Sequence, residues 1–279
     1  MKSPQFSLHA QMEEGHWWFR GRRTIALELI RHVLPASQGE IVVDIGCGTG
    51  GNIAALGQDY SCIGMDSSLQ ALELAKDRFP KTQFIHGSSL SDLGQMRKEV
   101  SLFLMMDVLE HVRDDFLLLS EALGAAKPGA YFLLTVPADM ALWSEHDVSF
   151  GHYRRYDMER LKRLWAGLPV SVPLVSYYNS RLYPIIRFIR TFNRLRGSTN
   201  GMAGTDFRMP SPPVNRMLES IFSSEAKVLV DTLLGRRRQG FSYGVSLMAL
   251  LQREPGEISP QTKPSDVPPD PHHPQEQHG

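Results

Sequence analysis

The chain has little cysteine, no excess of either charge and no long apolar run. Two cysteines, Cys47 and Cys62, cannot build a disulfide framework. Both fall where core strand or loop is expected, which suits a reducing compartment. Thirty Lys and Arg balance thirty Asp and Glu, so no global field draws the chain to nucleic acid, and no nucleic-acid partner is expected. No stretch approaches the roughly 20 apolar residues of a membrane span, and residues 1–23 lack the apolar core of a signal peptide. A cytoplasmic location is the expectation. What is present, 42% hydrophobic and 22% charged residues over 279 positions, suits a globular fold with a substantial core.

Strand and helix signals alternate. A helix is expected from Trp18 to Val33, with Ile25, Leu29 and Val33 at helical spacing and Pro35 closing it. Apolar strands are expected at Ile41–Ile45, Ser61–Met65, Gln83–His86, Leu102–Met106 and Tyr131–Val136. Helices between them start near Asn52, Leu69 and Asp114. Such a series makes an α/β, Rossmann-like sheet, mostly parallel, with helices on both faces. Its strands read as continuous apolar runs because both faces are buried. A helix capped by Asp157, a strand at Val170–Tyr177 and a last strand at Ser246–Leu251 follow, giving seven strands with a helical insertion, 178–241, before the last. The expected organisation is an N-terminal helical arm (1–38), a main domain (39–252) with that lid-like insertion, and a tail (253–279). The tail is rich in Pro, Gln, Glu and His and too poor in apolar residues to order itself.

The first strand runs into Asp44-Ile45-Gly46-Cys47-Gly48-Thr49-Gly50-Gly51-Asn52. Glycines at alternate positions permit unusual φ and let a ligand lie against the main chain. Gly46, Gly48 and Gly51 satisfy the dinucleotide pattern GxGxxG. Asp44 points elsewhere, because a carboxylate there repels a pyrophosphate and complements a cation. Asp66 ends the second strand, where it either accepts ribose hydroxyls or caps the next helix. Ser67 lies beside it, and Gly87-Ser88-Ser89-Leu90 follows the third strand.

The fourth strand ends in Asp107-Val108-Leu109-Glu110-His111-Val112, and Lys127-Pro128-Gly129 precedes the fifth. From about Gly39 to Pro137, these four strand ends in order resemble the class I S-adenosylmethionine-dependent methyltransferases, notably the ubiquinone-type and small-molecule members. The resemblance implies S-adenosyl-L-methionine as cofactor. It places the cofactor at Asp44, Gly46, Cys47, Gly48, Gly50, Asn52, Asp66, Ser67, Ser88, Ser89, Leu90, Asp107 and Val108. Ser88 departs from the family, which often has an acidic residue there to meet the adenine amino group. Some relatives with a Glu-x-x-Glu-His motif hold a divalent ion. Here Asp107 replaces the first Glu, and Glu110 and His111 either bind metal, with His146 or His152, or buttress the pocket; no metal is assigned.

Two further stretches are distinctive. They are His16-Trp17-Trp18-Phe19-x-Gly21-Arg22-Arg23 and Trp143-Ser144-Glu145-His146-Asp147, continuing through Gly151-His152-Tyr153-Arg154-Arg155-Tyr156. Together they resemble a bacterial subgroup of methyltransferases associated with cell-surface glycan or lipid pathways. The second stretch follows the fifth strand, at the sheet edge where open α/β folds bind ligands. His146, His152 and His111 are candidate catalytic bases, and Tyr153, Arg155 and Tyr156 candidate acceptor contacts. A self-paired Asp/Arg/His network shaping a loop is the competing reading. Trp17 and Trp18 either lid the cofactor or anchor the first helix.

In the insertion, residues 179–196 alternate apolar side chains with Arg181, Arg187, Arg190, Arg194 and Arg196 and contain no acid. Such a helix either covers an apolar acceptor or lies on an anionic membrane. The acceptor is thus expected to be a small or lipid-linked molecule, with peripheral membrane contact as an option. A metal-assisted O-methyltransferase acting on a quinone-like or catechol-like acceptor, and a non-catalytic or membrane-associated scaffold, are the alternatives.

Overall fold

The computed structural model describes residues 3–196 and 208–258, without the side chains of 3–5 and 193–196. Most of the expected tail, part of the insertion, and the side chains of Arg194, Leu195 and Arg196 lie outside the described residues.

Seven strands form one sheet: β1 (Ser37–Ile45), β2 (Tyr60–Asp66), β3 (Gln83–His86), β4 (Val100–Met106), β5 (Tyr131–Pro137), β6 (Val170–Tyr178) and β7 (Ser246–Arg253). Their spatial order is β3-β2-β1-β4-β5-β7-β6. The first five are parallel, and β7 enters antiparallel between β5 and β6. Chain direction across the sheet reverses between β1 and β4. Open α/β sheets leave a crevice at such a reversal, outside the carboxyl ends of the strands. Asp44 on β1 is in register with Leu104 on β4, so the glycine loop and the Asp107–Val112 segment leave the sheet side by side.

Helices cover both faces because alternate side chains of each buried strand point to opposite sides. Val43, Phe103 and Phe132 pack against α5 (Asp115–Ala125) and α7 (Met158–Arg163). Val42, Leu104 and Leu133 face α2 (Trp17–Val33), α3 (Gly51–Leu56) and α4 (Leu69–Arg78). The same face carries α9 (Pro212–Ser223) and α10 (Glu225–Leu233), which belong to the insertion. Asp157 caps α7 by accepting from the Arg160 N–H at 2.7 Å.

Three regions depart from the sequence reading. Ser3–Gly15 is a helix, α1. Its inward stripe is Phe6, Ala10 and Glu13, all buried; a carboxylate in the third place hides the apolar period. Glu145–Phe150 is a helix, α6, opened by a capping box between Ser144 and Asp147. The insertion holds the expected basic helix as α8 (Tyr183–Arg196), and beyond it α9 and α10, which the sequence reading did not separate. The N-terminal helices also do more than hang as an arm. A Cβ on Gly21 would stand 2.6 Å from the Phe222 ring, so glycine there lets α2 lie against α9. Asn215 of α9 clamps the joint between α1 and α2, accepting from the Trp17 N–H at 2.9 Å and donating to the Gly15 carbonyl at 2.8 Å.

Candidate functional site

A cavity of about 330 Å³ opens at the β1/β4 reversal. One wall is the glycine loop. Gly46, Gly48 and Gly50 have φ of 70°, 55° and 86°, a region that a side chain strains. A Cβ on Gly46 would also strike Val108 at 2.7 Å, whereas no atom lies within 4 Å of one on Gly48. The loop is therefore tight beneath and open above, a cradle that fits a ligand lying on the backbone. Asp66 braces it, accepting from the Gly48 N–H at 2.8 Å with one oxygen and from the Ser68 N–H at 2.8 Å with the other. The helix cap itself is Ser68.

Asp44 lies beneath the loop, 1% exposed, and is not among the residues that line the cavity. One carboxylate oxygen has no hydrogen-bond partner among the described residues. Burial pushes its pKa up to about 8, although Arg22 pulls the other way. A buried acid left short of partners suits a positively charged ligand. The thiol of Cys47 is raised as well, chiefly by burial, and neither cysteine is in a disulfide.

The N-terminal helices roof this wall. Glu13, 3% exposed, accepts from the Thr49 hydroxyl at 2.8 Å and is ion-paired with Arg78. Arg78 also donates to the Thr49 carbonyl at 3.0 Å. Arg22 stacks on the Trp18 ring at 4.3 Å and pairs with Asp107, whose φ of 59° is rare for a residue with a side chain. Trp17 and Trp18 both line the cavity, and Trp17 also packs edge-on against Phe222 at 5.9 Å.

The opposite wall carries the polar cluster. Arg155 grips Asp147 with two donors at 2.8 and 3.0 Å. The Asp147 oxygen that accepts from Arg155 Nε also meets His152 Nδ1 at 2.9 Å, and the Arg155 guanidinium with the His152 hydrogen bond holds its carboxyl below the usual carboxylate range despite burial. That bond fixes the His152 ring and leaves Nε2 for another partner. The His111 ring stands edge-on to His152, with centroids 4.7 Å apart. Burial, with His152 beside it, lowers the His111 pKa to about 3, and burial lowers His146 well below its ordinary value. Both imidazoles are therefore neutral near pH 7. Glu110 is fully buried, and neither of its oxygens has a hydrogen-bond partner among the described residues. Burial and nearby Asp107 raise its pKa well above the carboxylate range. One ligand atom from each of Glu110, His111 and His152 falls within 4.8 Å of the others, so these three could together hold a divalent cation.

Several sequence assignments change. Tyr156 is buried and donates to Asp115 at 2.7 Å, so it is core and not an acceptor contact. Tyr153 is half-buried, with Arg113 Nε 3.4 Å from its hydroxyl, and is absent from the cavity lining. Arg155 lines the cavity but is engaged by Asp147 and the Ala138 carbonyl, so it shapes the loop rather than gripping an anion. Ser88 and Ser89 are exposed, and their N–H groups donate to Asp92 at 3.0 and 3.1 Å. Leu90 belongs to the core, and Ser67 is exposed. His111, His146, His152, Gly46, Cys47, Gly48, Asn52 and Asp107 all line the cavity. Glu13, Arg22 and Asn179 were not anticipated, whereas Asp147 with Arg155 and His152 matches the competing reading of a self-paired Asp/Arg/His network. Asp147 had a legible signal in its capping box with Ser144, and Arg22 in the aromatic stretch around it. Asn179, buried at φ 53° with its amide unpartnered among the described residues, had none.

A Rossmann-like sheet with an open glycine cradle at its reversal and an acidic residue below defines a nucleoside-cofactor enzyme fold. Comparison with known proteins narrows it. Residues 17–181 match a family model described as a methyltransferase domain, and the chain belongs to that family. A probable S-adenosylmethionine-dependent methyltransferase of Mycolicibacterium smegmatis is 28% identical over 177 residues, 61% of this chain and 66% of that one. A trans-aconitate 2-methyltransferase of Methylobacterium radiotolerans is 31% identical over 121 residues, 42% of this chain and 45% of that one. The matches thus span under two thirds of either relative's length. Among solved structures, the chain bound to the Haloferax volcanii Trm112 methyltransferase activator has a TM-score of 0.55 at 17% identity, covering 92% of this chain and 97% of that one. The plantazolicin methyltransferase BpumL, solved with SAH, has 0.54 at 14% identity, covering 90% of each chain. These likenesses carry the fold.

Proposed function

We propose that this protein transfers the methyl group of S-adenosylmethionine to a small or lipid-linked acceptor. The carrying observation is a single cavity with two unlike walls, an open glycine cradle and a carboxylate-oriented imidazole. Gly46, Gly48, Asp66 and Asp107 would hold the cofactor, and Asp44 beneath them would supply negative charge once ionised. When bound, it supplies an activated methyl on a sulfonium. The chain's own residues then do three things. Arg22 and Trp18 close the cavity against water. Ile186, Ile189 and Phe150, on the acceptor side, hold an apolar body. His152, aimed by Asp147 as Arg155 holds it, takes the proton that a hydroxyl or amine acceptor releases. Much of the rate comes from holding the nucleophile in line, since the donor needs no further activation.

Titration calorimetry with S-adenosylmethionine tests the donor half. Incubation with methyl-labelled cofactor and a cell extract tests the acceptor half through the labelled product. Absence of both cofactor binding and label transfer by the folded protein defeats the proposal.

A second reading is metal-assisted transfer to a hydroxyl, supported by Glu110, His111 and His152 standing together. His152 would present Nε2 while Asp147 fixes its Nδ1, a carboxylate–histidine pairing common beside bound metals. Asp107 does not join the set, being paired with Arg22. Full activity after exhaustive chelation rules this reading out.

A further inference from the structure

We propose that α8 is a membrane-docking helix whose outward face rests on an anionic lipid bilayer while its inward face forms part of the acceptor wall. The surface itself follows from the helix. Its use in delivering an acceptor rests on the methyl-transfer reading above.

Two adjoining faces carry the argument. Ile186, Ile189 and Arg190 line the cavity, and Leu182 is buried in the core beneath them. On the other side, Ile185 is 59% and Phe188 71% exposed. Phe192, one turn on, stacks against Phe188 with ring centroids 6.2 Å apart. Residues 185, 188 and 192 share one helical face by their spacing. Exposed apolar side chains in a row on one face, unlike single scattered ones, mark an interaction surface.

Charge identifies the occupant. No acid occurs from residue 179 to 196, against five arginines, although the whole chain is neutral. Arg187 is exposed beside Phe188, with one guanidinium nitrogen near the Tyr183 hydroxyl and Asp139. An exposed apolar stripe on a 14-residue helix that carries arginines and no acid is the pattern that lies in the headgroup layer of an anionic bilayer. No described helix is long and apolar enough to cross a membrane, so the contact is peripheral. The same helix borders the cavity, so a lipid-linked acceptor would pass along Ile186 and Ile189 without leaving the interface.

Vesicle flotation of the full chain tests this, comparing mixed phosphatidylglycerol–phosphatidylcholine vesicles with pure phosphatidylcholine. Retention on the anionic vesicles only is expected, weakened by salt. The double variant Ile185→Ser, Phe188→Ser removes outward side chains only. It should lose about tenfold or more of its vesicle retention, with circular dichroism and cofactor titration unchanged. Equal retention on both vesicle types, or none on either, overturns the proposal. So does a concentration-dependent dimer that the double variant abolishes, which would make the face a contact between two copies. Failure of cofactor binding with vesicle retention intact would remove the methyl-transfer reading and leave the docking surface standing.

Discussion

Asp44 offers a test in which folding and cofactor binding pull in opposite directions. Its pKa is about 8 in the folded chain against an ordinary 3.8, mainly through burial. Between those values the folded state holds a proton that the unfolded state has released. The Asp44 contribution to stability is therefore greatest below pH 4 and falls as pH rises toward and through the folded pKa, by about 1.4 kcal/mol per pH unit. From pH 6 to pH 8 this amounts to roughly 2–3 kcal/mol. Asp44→Asn removes the titration while keeping the shape. Urea denaturation of both proteins across that range is expected to show their stability difference shifting by that amount in favour of the variant. Cofactor binding should show the reverse. A bound cation draws Asp44 toward its ionised form, so binding near pH 6.5 releases up to one proton. Calorimetry in buffers of unlike ionisation enthalpy reads that proton directly. Asp44→Asn should release none and bind at least about tenfold more weakly. Parallel pH–stability curves for the two proteins, together with undiminished affinity in the variant, would refute the reasoning.

Other consequences can be checked separately. His152→Asn should lower kcat by about 10²–10⁴-fold with cofactor affinity unchanged, and Asp147→Asn should shift the pH–rate profile through the orientation of His152. Glu13→Ala leaves Arg78 with only the Thr49 carbonyl and the exposed Glu14 and the Thr49 hydroxyl without its acceptor, and should cost about 1–3 kcal/mol in urea denaturation, with cofactor affinity reduced because the glycine loop loses its roof. Gly21→Val should cost about 1–3 kcal/mol by thermal melting, since its side chain collides with Phe222. Buried neutral His111 should make the protein less stable as pH falls below about 6.5, where the unfolded imidazole gains its proton; His111→Gln should flatten that limb.

Legibility followed the physics of each element. The β1, β4 and β5 strands announced themselves because parallel strands buried on both faces are nearly unbroken apolar runs. The glycine loop was legible because its positive φ values demand glycine. Helix α1 was not, since the inward position at Glu13 holds a carboxylate whose partners, Thr49 and Arg78, are distant in sequence. Tyr156 and Arg155 sat in a stretch rich in catalytic residue types, and composition alone does not tell a side chain facing the cavity from one bonded to Asp115 or Asp147. Asn179 drew its position from the turn after β6 and left no pattern.

The clamp that Asn215 places on the joint between α1 and α2 has a practical consequence for protein engineering. Helix α9 comes from the same excursion of the chain as α8, yet it holds the hinge of the helix that roofs the donor loop. Helices α1, α2 and α9 thus form one interlocked part, although β1 to β6 separate them in sequence. A chimera that borrows a relative's insertion to change acceptor preference should import that relative's first two helices with it. Swapping the insertion alone would leave the donor side hinged on a foreign residue.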